Sequence, residues 1–471
     1  MTELIKQKKQ IPERLYSNRK LAALLIPLAL DQLLNSFMGT IDTLVVSNLG
    51  SAAISAVSLV DAINILIVQA FFALASGGTV VCSHYLGCKN KKSAKEAARQ
   101  LVFITLLLSV IIAGVCLVFN TLMLSLIIGA ICLVFNQQIL NLIFGKVEKD
   151  VMAGAKQYFF YSVLSYPFIA LYNDGSCILR AQNDSRFPMQ ISIASNFLNA
   201  FLDVIFVWVF HWGVAGSAIA TAGSRFFSMS IVLWKLRNPS LEIPFRDYFS
   251  IRPNWREIKK ILNIGIPSGI ENSMFQFGKL AIQSTVSMMG TAAIAAQGMT
   301  NVIENLNGIL AIGIGIGLMT VVGETLGAGR KEEAVYYIKK LCIIAEITLV
   351  ISCLVFYLLV RPITYFGGME PESAKLCIYM VTWISIVKPI VWIMAFIPAY
   401  GLRAAGDVKF SMAVSVLSMW FCRVSLVIFL ARAFHMGPMA VWIGMFVDWT
   451  VRNIIFTIRF RSRKWLNHEV I

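Results

Sequence analysis

Long apolar runs, broken by short charged or Gly/Pro-bearing stretches, recur along the whole chain. They lie near 21–48, 52–86, 101–143, 155–179, 187–211, 214–236, 260–288, 292–326, 338–360, 373–402, 407–431 and 438–458. Apolar runs of this length cross a bilayer core as helices. They are continuous, without the alternating ten-residue segments of a transmembrane barrel. The pattern predicts an all-α polytopic membrane protein with twelve transmembrane helices. Residues 1–20 form a basic polar leader, and the run after it is far longer than a signal peptide's apolar region, so no cleavage is expected.

One run is doubled. TLLLSVIIAGVCLVFN at 105–120 is followed by TLMLSLIIGAICLVFN at 121–136, with eleven of sixteen positions identical. Sixteen helical residues add about 24 Å to a span. The copy is read as an addition to an otherwise ordinary third helix, its surplus on the outer side before GKVEKD at 145–150.

The chain also repeats as halves. Residues 26–100 set against 266–340 match at 18 of 75 positions, among them Pro27 with Pro267, GSAAISA at 50–56 with GTAAIAA at 290–296, and Gly87 with Gly327. Further on, RAQND at 180–184 matches RAAGD at 403–407, and the offset has fallen from 240 to 223. The first half therefore carries 17 extra residues between Gly87 and Arg180, nearly all of them in the tandem copy. Six spans per half make the halves parallel repeats about an axis along the membrane normal, an arrangement of transporters with a central cavity. The predicted divisions are a cytoplasmic leader 1–20, a six-helix bundle 21–236, a linker 237–259, a second bundle 260–460 and a cytoplasmic tail 461–471.

Charge places the termini. The chain has 41 Lys and Arg and a net charge of +16, a balance that could suggest nucleic acid. With twelve spans and an inside N-terminus, however, 31 of the 41 fall in inside loops and only six outside. This is the positive-inside bias of a membrane protein. An additional crossing at the tandem copy would put 20 of the later inside charges on the outer face. The nine Cys form no CxxC pair and the four His have no metal-ligand spacing. The Cys read as small apolar filler.

Carboxylates within hydrocarbon are costly and mark ion or substrate handling. The first half places Asp31, Asp42, Asp61, Asp174 and Asp203 in its spans, with Asn173, Asn199 and Thr221; Asn199 and Asp203 share one face of the fifth helix. Pro27 can bend the first helix. The second half carries Glu271, Glu304, Glu324, Glu346, Lys279, Lys388, Arg423 and Asp448, and hydrophobic residues or Cys at the places aligned with Asp42, Asn173, Asn199 and Asp203. Glu271 and Lys388 are candidates for a second-bundle role or substrate contact. Arg225 and Lys279 are expected to pair with nearby acids or to snorkel. The glycine series GIGIGLMTVVGETLGAG at 313–329 reads as close helix packing.

IDTLVVSNLGSAAISAV, the RAQND and RAAGD motifs, DVIFVWVFHWGVAGSAIAT and IPSGIENSMFQFGK together resemble the multidrug and toxic compound extrusion (MATE) transporters, over residues 15 to 460. The resemblance implies a V-shaped pair of six-helix bundles exporting organic, often cationic compounds in exchange for inward Na⁺ or H⁺. It implies a cation site at Asp42, Asn173, Asn199, Asp203 and Thr221, all of the family's residue types. The acid that one branch carries on helix seven falls one turn beyond Glu271, where Phe275 stands, and Lys388 is the charge found on helix ten. Two carboxylates close together would raise a pKa enough to carry a proton; with amide and hydroxyl oxygens they suit a small cation.

The rival functions are a flippase for lipid-linked precursors and a membrane enzyme. A flippase needs a strongly basic cavity, and the charges here are mixed. An aspartyl protease built on AAGD would need Asp407 away from a helix end beside Arg403. No ATPase motif is present, and no enzyme activity or cofactor beyond the coupling ion is expected. The chain is expected to be monomeric in the cell membrane, handling a small organic substrate and no nucleic acid.

Overall fold

The structure, a computed structural model, describes residues 14–47, 51–118, 149–245 and 252–471; over 37–47 and at 51, 52, 54, 55 and 59 it describes the backbone alone. Twelve helical rods follow one another among these residues, without a strand. The first six are α1 (Asn18–Ser47), α2 (Ser51–Gly87), α3 (Lys91–Val118), α4 (Lys149–Leu164 and Tyr166–Ala181), α5 (Arg186–Asp203, continued by a π-helix Val204–Val209) and α6 (Gly213–Leu236). The second six are α7 (Trp255–Ser287), α8 (Thr291–Gly327), α9 (Lys331–Phe366), α10 (Pro371–Ala404), α11 (Val408–Leu417, a π-helix Ser418–Ser425, and Leu426–Ala433) and α12 (Met439–Arg461). They form two six-helix bundles, the leading and the trailing bundle.

Eight rods among the described residues are long and apolar enough to cross a membrane: α2, α3, α5 and α8 to α12. Of the remaining four, α4 is divided at Ser165 into two segments of 16 residues, and α6 and α7 carry polar side chains described below. Helix α1 runs through Pro27 and α7 through Pro267. The internal repeat extends to the turns. Left-handed backbone recurs at Lys89 and Gly329, at Asn183 and Gly406, and at His211 and His435.

The bundles meet through glycines. A Cβ on Gly313 of α8 would lie 2.6 Å from Ala29 Cα of α1, and one on Gly77 of α2 would lie 2.8 Å from the Ile261 carbonyl of α7. At the end of the molecule where the first and last described residues lie, α2 and α8 close almost backbone to backbone. A Cβ on Gly87 would stand 2.1 Å from the Glu324 carbonyl, and one on Gly327 2.1 Å from the His84 carbonyl. The glycine series therefore packs helices, as its position in a span implies.

Side chains fasten the same end. His84 Nε2 lies 2.7 Å from the Ala404 carbonyl, the Tyr16 hydroxyl bonds Asn183 at 2.7 Å and also Glu324, and Glu333 accepts from the Leu15 amide at 2.6 Å. Burial, with the Glu324 carboxylate alongside, pushes the Tyr16 phenol well up, so it remains a donor. Asp407 lies at this end too, held by Arg459 at 2.7 Å and His468 at 3.3 Å.

One charge counted among the inside loops moves. Arg452 is buried in α12 and bonds Asp448 at 2.7 Å, so it belongs to the span. The second tandem copy, 121–136, lies outside the described residues. Its flanks are informative. Ala113 and Cys116 near the end of α3, Ala155 and Phe159 in the first segment of α4, and Ala56 at the start of α2 belong to one apolar cluster, at the end opposite the first and last described residues. The chain therefore leaves α3 and enters α4 on the same face.

Candidate functional site

Two cavities lie between the bundles. The first, about 590 Å³, is walled mainly by the leading bundle, the second, about 600 Å³, mainly by the trailing bundle, and Ile312 and Tyr400 line both. Volumes of this size suit drug-sized ligands.

Helices α4, α5 and α6 bring Asn173, Asn199 and Thr221 to the first cavity. The spacing of four in α5 puts Asn199 and Asp203 one turn apart, and Asn199 Nδ2 donates to Asp203 Oδ2 at 2.8 Å. Ser224 Oγ of α6 stands 2.9 Å from both Asn199 Oδ1 and the Thr221 carbonyl. Asp203 is only 1% exposed, directly before the π-helix that continues α5; such π segments frequently mark functional sites. The side chain of Asp42 lies outside the described residues; its backbone belongs to α1. The structure thus gathers Asn173, Asn199, Asp203 and Thr221, joined by Ser224. Nothing in the sequence singled out Ser224: a serine facing a bundle interior looks the same as one bonding its own helix.

The other wall of this cavity holds two ion pairs. Arg180 of α4 meets Asp31 of α1 at 3.1 Å, and Arg403 of α10 meets Glu271 of α7 at 2.6 Å. Asp31 and Glu271 are 240 apart and Arg180 and Arg403 are 223 apart, the two offsets of the internal repeat. One ion pair has therefore been kept in both halves. Glu271 is engaged in it, and Arg403 carries the contact to the cavity.

In the trailing bundle, Lys388 of α10 is fully buried and bonds Glu304 of α8 at 2.7 Å, so Glu304 faces the second cavity while Lys388 sits behind it. Asp448 of α12 receives Arg423 at 2.5 Å and Arg452 at 2.7 Å. Arg225 donates to Ser165 Oγ at 2.7 Å. Lys279 pairs with no described acid; it is exposed to the cavity, and its Nζ lies 5.0 Å from the Phe275 ring.

Two six-helix bundles related by an internal repeat, with polar cavities between them, define a multi-pass membrane transporter. The chain belongs to the MatE family, whose model matches residues 27–128, 115–205 and 267–429. The two matches in the first half overlap at 115–128, across the junction of the tandem copies. The chain is 25% identical over 476 positions to a Thermotoga maritima protein named "Probable multidrug resistance protein NorM", covering 98% of this chain and 96% of that one. It is 25% identical to the "Uncharacterized transporter YisQ" of Bacillus subtilis, covering 93% of each. Its fold is similar to that of a solved outward-facing multidrug resistance MATE family transporter of the MOP superfamily, with a TM-score of 0.85, 19% identity and coverage of 94% and 95%.

Proposed function

We propose that the protein is a secondary antiporter of the cell membrane, exporting organic compounds or drugs by alternating access in exchange for inward Na⁺ or H⁺, with both termini cytoplasmic. The observation that carries this reading is the oxygen cluster of Asn199, Thr221 and Ser224 at the wall of the first cavity, with the buried Asp203 bonded to Asn199 behind it. Asp42, on α1, completes the site in this reading, and Asn173 contributes from α4. The two carboxylates take up one small positive charge, as a proton shared between like charges or as a cation held by hard oxygens. Neutralising them changes how α1 packs, Pro27 being the place where it bends. A bound ion and a bound cargo that favour opposite states are then coupled without touching.

The test is efflux of a fluorescent dye from vesicles carrying the purified protein, with a Na⁺ or a pH gradient imposed one at a time. One gradient drives efflux in the wild type. Asp42→Asn and Asp203→Asn each abolish that response while leaving membrane expression intact. Full gradient-driven efflux by both variants rejects the assignment.

A further inference from the structure

We infer that the trailing-bundle cavity is a subsite for an aromatic anion, a planar ring system carrying a carboxylate, sulfonate or phosphate. The inference concerns cargo and so rests on the transport reading above. It departs from the cationic cargo that the family resemblance implies.

The charges come first. Four cations gather on the trailing-bundle side: Lys279 and Arg423 on the cavity wall, with Lys388 and Arg452 behind it. Two carboxylates answer them, Glu304 bonded to Lys388 and Asp448 shared by Arg423 and Arg452. Both acids are thus engaged, and the arithmetic leaves two positive charges over. On the facing wall Asp61, which accepts from Asn64 at 3.2 Å and Tyr158 at 3.3 Å, offsets at most one of the two, so a positive excess remains.

Uncompensated charge in a cavity between apolar helices is costly, because low-dielectric walls strengthen its field and remove solvation. Lys279 is the group best placed to receive an anion. It projects into the cavity, and its stem needs no rearrangement to meet a ligand. Arg423 is held rigidly by Asp448, which leaves its guanidinium presented as a fixed positive surface.

The rings decide the rest of the ligand. Trp392 and Phe396 stack with centroids 4.8 Å apart, and both line the cavity with Phe275, Tyr400 and Trp449. Such a shelf accepts a flat aromatic body, and its offset faces also suit stacking. Gln276, Gln283 and Asn301 add neutral donors and acceptors around it. A ligand with a ring and one anionic group satisfies the shelf and the excess charge together; an aromatic cation would satisfy only the shelf and meet Lys279 head on.

The experiment uses two probes of equal size and opposite charge, 2-naphthoate and (2-naphthyl)methylammonium, titrated calorimetrically into the purified full-length protein. Naphthoate is expected to bind at least tenfold more tightly. Lys279→Gln removes most of that preference and Lys279→Glu reverses it; since Lys279 makes no ion pair with a described residue, neither variant falls below the wild-type melting temperature. Equal or tighter binding of the ammonium to the wild type, or an unchanged preference in Lys279→Gln, overturns the inference. Asp203→Asn separates this from the coupling reading, since it retains the naphthoate preference while losing the gradient response. Gradient-driven efflux without an anion preference rejects the subsite alone. A preference for naphthoate without any gradient response rejects the coupling alone.

Discussion

Asp31 and Glu271 occupy equivalent places on α1 and α7, and each is gripped by the arginine that ends the fourth helix of its half. A buried ion pair contributes little net stability, but removing one partner strands the other. Arg403→Gln is therefore expected to destabilise the protein by about 3 kcal/mol, and the double variant Glu271→Gln/Arg403→Gln to recover most of that loss. Thermal melting in detergent reads both; equal melting of the single and double variants would remove the pair from the account. The sequence displayed all four residues without the pairing. RAQND and RAAGD stand out as a repeat, and Asp31 and Glu271 as acids within spans, yet each contact joins a position at one offset to a position at the other. Only the fold brings the two offsets together. Asn199 and Asp203 were legible because their contact is local to one helix, whereas Ser224 reaches them from α6.

At the level of helices, the arrangement is set by where backbones can approach. α8 packs on α1 through Gly313 and Gly317 and on α2 through Gly323 and Gly327. Small residues at such crossings give membrane helices their close contacts. Because a Cβ at Gly327 would lie 2.1 Å from the His84 carbonyl, Gly327→Ala forces α2 and α8 apart at the end where the first and last described residues lie. The expected cost is about 2 kcal/mol, typical of overpacking, while Gly114→Ala, with no described atom within 4 Å of its Cβ, is not destabilising. Melting temperature compares the two, and equal stability would mean that this crossing is not tight in the protein. The spans and their glycine faces were readable from apolar runs and small residues alone. The π-helices at Val204–Val209 and Ser418–Ser425 were not. A one-residue widening of a helical turn leaves no periodicity to read, and it follows from what packs beside it.

For the molecule as a whole, the side on which every later loop lies depends on the tandem copy adding no crossing between the three helices before it and the nine after it. Loop charges point to that conclusion from sequence, since an added crossing would carry 20 of the later inside Lys and Arg to the outer face. The clustering of Ala113 and Cys116 with Ala155, Phe159 and Ala56 reaches it independently, because it sets the end of α3 and the start of α4 on one face of the bundle. The described chain thus breaks off at Val118 and resumes at Lys149 on one side. Deleting 121–136 leaves 14 of the 30 intervening residues, and 14 residues extend to about 46 Å. The deletion is thus expected to keep both termini on one side, the cytoplasmic side in the reading above, with every later loop unchanged. Fusions at the C-terminus test it, with a fluorescent protein that matures only inside and a phosphatase that is active only outside. Full-length and shortened chains should both fluoresce and both lack phosphatase activity. A gain of phosphatase activity on deletion would make the second copy a crossing in its own right, and would invert the side from which each cavity is loaded.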